Sequence, residues 1–128
     1  MSQKVLIAMS QPGDRCSTGS LFDRFGFLVV QAVSGYEAVD IYTLDPTFDV
    51  VLVDLSMEGL DGISVARLIR RFQKGKRPFV VGFGDSVEIA RKAESFGVDL
   101  VCFREGGKPV DNVISFAVKA ALRDQDDE

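Results

Sequence analysis

The chain has 128 residues, of which 46% are hydrophobic and 27% charged, the size and composition of one globular domain with a sizeable core. Fifteen Lys and Arg against 19 Asp and Glu give a net charge of −4, which argues against a dedicated nucleic-acid binder or a membrane-surface module. The absence of histidine removes imidazole catalysis and every His-containing metal set, and Cys16 and Cys102 alone cannot build a Cys-rich zinc site.

In chain order, Val5 to Met9 is a short apolar run of strand length. A first helix is expected over about Asp14 to Phe25, although Ser17, Thr18, Gly19 and Ser20 are mediocre helix formers. Phe27 to Val33 forms the second run. Ser34 followed by Glu37 has capping-box spacing and opens the second helix. The third run, Phe48 to Val53, leads into Asp54, and Asp61 is the expected N-cap of the next helix. There Val65, Leu68, Ile69 and Phe72 fall on one stripe facing the sheet, with Arg67, Arg70 and Arg71 pointing elsewhere. Phe79 to Phe83 is the fourth run, Asp85 with Glu88 caps the fourth helix, and Gly97 takes its left-handed C-terminal position. Leu100 to Phe103 is the fifth run. Pro109 suits the first turn of a last helix whose Val110, Val113, Ile114, Ala117 and Ala121 share a face. Residues 1–122 thus read as one domain, and residues 123–128 as an acidic tail carrying −3 of the total charge.

The apolar runs are nearly continuous rather than alternating, which marks strands buried on both faces of a parallel sheet. Five strands alternating with five helices imply right-handed crossovers and an α/β doubly wound architecture, with its functional crevice at the carboxyl ends of the strands. No segment approaches the roughly 18 to 20 apolar residues of a membrane span, and Met1 to Gln11 lacks a signal-peptide layout. Two lone cysteines in a chain of this size fit a reducing compartment better than a single disulfide, so a cytoplasmic location is expected.

Asp54 ends a buried strand and therefore sits at that crevice. With Met57, Gly59, Asp61 and Gly62, the segment Val51 to Gly62 resembles the receiver domain of two-component response regulators, and the resemblance extends from Lys4 to Leu122. It implies the flavodoxin-like (CheY-like) fold with strand order 2-1-3-4-5. It also implies that Asp54 is the position that accepts a phosphoryl group from a partner kinase's histidine. The family surrounds that carboxylate with Mg²⁺, a hydroxyl and a lysine, which neutralise the transferring charge.

This chain departs from that pattern at several positions. Met9 and Ser10 stand where the family has its metal-binding acidic pair, leaving Asp54 as the remaining ligand the resemblance assigns to Mg²⁺. Losing two carboxylates beside a divalent ion is expected to cost several kcal/mol, since one charge pair about 4 Å apart is worth roughly 4 kcal/mol at intermediate dielectric. No cofactor is therefore expected, although the resemblance implies Mg²⁺. Asp14 reads as a solvated loop acid rather than a replacement ligand. Phe83 stands at the switch hydroxyl position and Val101 at the aromatic switch position, and Ser86 reads as a first-turn residue behind the Asp85 cap. The family lysine corresponds either to Arg104, which keeps the spacing from Gly97, or to Lys108, which keeps the Lys-Pro pair.

The expectation is an atypical receiver that acts through phosphorylation-independent protein contacts, with a histidine kinase or an effector protein as partner. The alternatives are a conventional or slow phosphoacceptor at Asp54 and a structural dimerisation module using the face of helix 4, strand 5 and helix 5, where Phe116 lies. The basic stretch Arg67 to Arg77 reads as a solvated helix face, with an acidic docking partner as the rival reading. An enzyme is not expected. Ser56 stands where a haloacid-dehalogenase-type phosphatase has a second Asp, and no nucleotide-binding loop is present.

Overall fold

The computed structural model describes residues 3–103 and Lys119. Its elements are β1 (Lys4–Ala8), α1 (Pro12–Arg24), β2 (Leu28–Ala32), α2 (Gly35–Leu44), β3 (Val50–Asp54), α3 (Gly62–Phe72), β4 (Phe79–Gly84), α4 (Val87–Ser95) and β5 (Leu100–Phe103). All strand pairs are parallel, in the order β2-β1-β3-β4-β5. This is the doubly wound architecture that the alternation of runs and helices implied, in the strand order that the resemblance implied. Four complete helices lie among the described residues, and the expected fifth, except for Lys119, which is helical, falls outside them together with Arg104, Lys108 and Phe116.

The sheet separates two apolar clusters. Leu6, Ala8, Val51, Val53 and Val80 face α2, α3 and α4 through Ala38, Tyr42, Val65, Ile69 and Ala93. On the opposite side Val5, Ile7, Met9, Leu52, Val81, Phe83 and Cys102 gather with Leu21 and Phe22 of α1. The central strand β3 is buried along its whole length. Strands β2 and β5 stand at the sheet's edges and are only partly covered, so the two-faced burial expected of every run holds for the three inner ones.

Local chemistry set the helix starts with three corrections. Helix α1 begins at Pro12, not Asp14, because proline lacks the N–H that would be orphaned there and brings a helical φ. Asp14 is accordingly a first-turn helix residue, where a carboxylate suits the dipole, and not a loop acid. Strand β4 runs one residue further than expected, so Ser86 rather than Asp85 becomes the N-cap of α4, its hydroxyl accepting from the Ile89 N–H at 3.2 Å. Ser34 and Asp61 cap α2 and α3 as expected, accepting from the Glu37 and Ser64 N–H groups at 3.1 and 2.8 Å. Gly97 follows α4 with φ +103°, a conformation that glycine adopts without penalty.

The α3 stripe is rotated from the expected one. Val65 and Ile69 are buried with Gly62, Ile63 and Ala66, whereas Leu68 is half-buried and Phe72 is 40% exposed. Gly62 permits this approach: a Cβ there would lie 2.5 Å from the Asp54 carbonyl oxygen and 2.7 Å from the Leu55 Cα. Arg70 does not point away from the fold. Its Nε donates to the Gly97 carbonyl at 2.9 Å, its Nη1 to the Pro78 carbonyl at 2.8 Å and its Nη2 to Asp99 at 2.7 Å.

Two aspartates hold the amino ends of the strands in the same way. Asp49, just before β3, accepts the Lys4 N–H of β1 at 2.7 Å, and Asp99, just before β5, accepts the Val80 N–H of β4 at 2.8 Å. Lys76 pairs with Asp49, and Arg70 and Arg77 both pair with Asp99.

Candidate functional site

The crevice opens at the carboxyl ends of β1 and β3, where the strand order reverses, which is the place doubly wound sheets use for binding. It encloses about 630 Å³ between Ser10 and Gln11 after β1, Val33 and Ser34 after β2, and Asp54, Ser56, Met57 and Glu58 after β3. Asp54 is the last residue of β3 and only 6% exposed. Its carboxylate accepts the Ser56 N–H at 3.0 Å, a turn that fixes the side chain at the crevice wall. The Ser56 hydroxyl lies 3.4 Å from an Asp85 carboxylate oxygen, linking the ends of β3 and β4.

The sequence-derived positions divide between wall and floor. Asp54 and Ser10 line the crevice together. Met9 is fully buried in the apolar cluster beneath it, and Phe83, the register partner of Asp54 on β4, is fully buried in the same cluster. Parity explains this placement: Leu52, Asp54, Val81 and Phe83 alternate onto one face of the sheet, and at its top one polar group is followed by apolar rings and a thioether. Val101 lies on the other face, half-buried against the opposite cluster. Ser86 is committed to its cap.

Sequence reasoning missed Arg15. Its Nη1 donates to the Met9 carbonyl at 2.7 Å and to the Ser10 carbonyl at 3.4 Å, so a guanidinium cation rests on the end of β1. The available signal was a cation in the first turn of a helix, where the dipole disfavours positive charge and a compensating acceptor must be supplied.

A divalent metal is the group that the resemblance implies, and the donors on the β1 side of the crevice do not fit it. Mg²⁺ requires hard oxygen ligands in octahedral array. The β1 side offers the Ser10 hydroxyl and carbonyls already engaged by Arg15, while the Met9 thioether is both soft and buried. Among the described residues no three acidic or thiol side chains gather in a ligand cluster.

Other titratable groups lie away from the crevice. Burial pushes the Cys102 thiol up to about 11, from an ordinary value of 9.0. Burial also raises the Tyr42 hydroxyl, partly offset by the Arg70 charge, and that hydroxyl has no hydrogen-bond partner among the described residues. Burial lowers Arg70, which the Asp99 carboxylate counters.

Comparison with known proteins agrees with this geometry. The response regulator receiver domain model matches residues 5–103. Over 97 residues the chain is 27% identical to sporulation initiation phosphotransferase F of Bacillus subtilis (strain 168), covering 76% of this chain and 77% of that protein. The fold is shared with Vibrio cholerae chemotaxis protein CheY4, at a TM-score of 0.84 and 18% identity over 95% of this chain and 100% of that one. It is shared equally with a response regulator receiver domain protein from Clostridium thermocellum, at a TM-score of 0.82 and 20% identity over 97% of each chain. With the strand order, the placement of Asp54 and a family match over well more than half of its length, the chain belongs to the response regulator receiver domain family.

Proposed function

We propose that this receiver domain signals through protein contacts that do not depend on an acyl phosphate at Asp54. The observation that carries the reading is the burial of Met9 and Phe83 in one apolar cluster beneath the crevice, with Arg15 holding the carbonyls above it. Phosphoryl transfer to a carboxylate gains little from covalent chemistry and depends on neutralising charge at the transferring group. Neither an acidic pair for a metal nor a switch hydroxyl is contributed by these positions. Partner binding then sets the conformation, by as much as the partner's affinity differs between the two states. On this reading the domain spans residues 1–122, with 123–128 as a tail. It is a cytoplasmic, non-enzymatic module without a cofactor, and its partner is a histidine kinase or an effector protein.

A second reading, phosphorylation of Asp54 by a partner kinase, is favoured by the place of that carboxylate at the crevice wall and by the likeness to a sporulation phosphotransferase. Dimerisation through the α4–β5 face draws on the exposure of Val87 and Phe103. Incubation with Mg²⁺ and acetyl phosphate or beryllofluoride, followed by intact-mass measurement beside Asp54→Asn, separates the readings. No adduct is expected, and partner binding by Asp54→Asn is expected to be unchanged. A stoichiometric adduct that disappears in Asp54→Asn overturns the proposal.

A further inference from the structure

From Gly62 to Gly84 the chain contains no acid at all, yet it carries six of the 15 cations. The fold sorts these six into two sets. Arg70, Lys76 and Arg77 are engaged by Asp99 and Asp49 at the amino ends of the strands. Arg67 and Arg71, on the outward side of α3, and Lys74 just beyond its end recur at i, i+4 and i+7, and all three are exposed. No acid among the described residues pairs with any of the three.

Apolar groups are interleaved with them. Leu68 is half-buried, Phe72 is 40% exposed and Phe96, at the end of α4, is 37% exposed. The Arg67 guanidinium lies over the Phe96 ring at 4.6 Å, a cation–π contact that holds the charge in place at little entropic cost on binding. A surface cleft of about 310 Å³ has Ser64, Arg67, Leu68 and Arg71 among its walls, none of which borders the Asp54 crevice.

We propose that the outward face of α3, with Phe96 of α4, docks an acidic amphipathic helix of a partner protein. Helical rise separates Arg67 from Arg71 by about 6 Å, the spacing that Glu residues at i and i+4 present on a second helix, and Lys74 follows the extended Gln73 beyond the helix end to meet a further carboxylate. Apolar side chains between those carboxylates meet Leu68 and Phe72, giving the arrangement of protein interfaces in which Arg and aromatic groups anchor and charges at the rim steer. Nucleic acid suits the face less well. Three exposed cations release few counterions, and residues 1–122 carry a net charge of −1. The surface is independent of the chemistry at Asp54, so its test does not depend on the function proposed above.

The probe is a fluorescein-labelled synthetic helix of about 18 residues with Glu at i, i+4 and i+7 and Leu between them, titrated with the full chain by fluorescence anisotropy. Reversing the three charges together, Arg67→Glu, Arg71→Glu and Lys74→Glu, is expected to weaken binding about tenfold or more, while reversing Arg24, Arg91 and Lys92 costs less than about threefold. Leu68→Ser, which keeps every charge, is expected to weaken binding at least about threefold. Circular dichroism verifies that each variant is folded. Equal losses in the two charge-reversed proteins, no binding of the probe by the native chain, or tighter binding of a duplex DNA than of the helix would each overturn the assignment.

Discussion

Replacing Asp99 with alanine should destabilise the domain more than any other single charge removal among the described ion pairs. Arg70 and Asp99 have side chains only 17% exposed, and Asp99 accepts from the Arg70 Nη2 at 2.7 Å, the Val80 N–H at 2.8 Å and the Arg77 Nη2 at 2.5 Å. Burial already depresses the Arg70 pKa, so removing its counter-ion leaves a guanidinium with its desolvation cost uncompensated. Breaking one side of a buried pair costs about 3–5 kcal/mol, and the residual exposure here reduces the expectation to about 3 kcal/mol, including the acceptor lost by Val80. That is a large share of the roughly 5–15 kcal/mol that stabilises a domain of this size. Urea unfolding followed by far-UV circular dichroism at pH 7, in low and high salt, measures the effect. Arg77→Ala, whose side chain is 48% exposed, should cost less than about 1 kcal/mol and depend on salt, whereas Asp99→Ala should not. Asp99→Ala combined with Arg70→Met should be more stable than the sum of the two single changes. A loss below about 1 kcal/mol for Asp99→Ala, or strict additivity in the double variant, refutes the reasoning.

Three further outcomes are expected. Gly62→Ala places a methyl group 2.5 Å from the Asp54 carbonyl oxygen, where the facing backbone cannot yield, and should cost about 2–3 kcal/mol; an unchanged urea midpoint contradicts this. Tyr42→Phe removes a fully buried hydroxyl that has no partner among the described residues and should leave stability unchanged or raise it by up to about 1 kcal/mol, as thermal unfolding will tell. Cys16 is exposed and Cys102 buried, so an alkylating reagent at pH 8 should modify one thiol per folded chain and both after unfolding, as read by intact mass. Because the folded Cys102 thiol titrates near 11, above its ordinary 9.0, it contributes stability that is fully present below pH 9 and lost as pH rises toward 11.

The fold was legible because its signals are local. Apolar runs of strand length, the caps at Ser34 and Asp61 and the glycine after α4 each report on a window of a few residues, and all agree with the sheet order observed. Asp54 was legible for the same reason, as a lone carboxylate ending an apolar run. What escaped depends on partners distant in sequence. Arg70 is separated from Gly97 and Asp99 by 27 and 29 positions, and Asp49 from the Lys4 N–H that it accepts by 45, so neither Arg70 nor Asp49 looked different from a solvated charge. Asp85 and Ser86 are both good caps, and the choice between them was made by the length of β4, which its pairing with β3 and β5 sets. The exposure of Leu28 and Phe103 follows from edge position, which strand order determines and composition does not.

The packing of Met9 in the cluster that contains Phe83 makes the crevice floor costly to alter. A carboxylate introduced at Met9 alone would enter a site with no solvent exposure, and a hydroxyl at Phe83 would empty the volume of a phenyl ring; each would cost stability before any ligand could repay it. The apolar floor therefore ties what this crevice can hold to how well the domain folds: the side chains that would change its chemistry are the ones that fill its core.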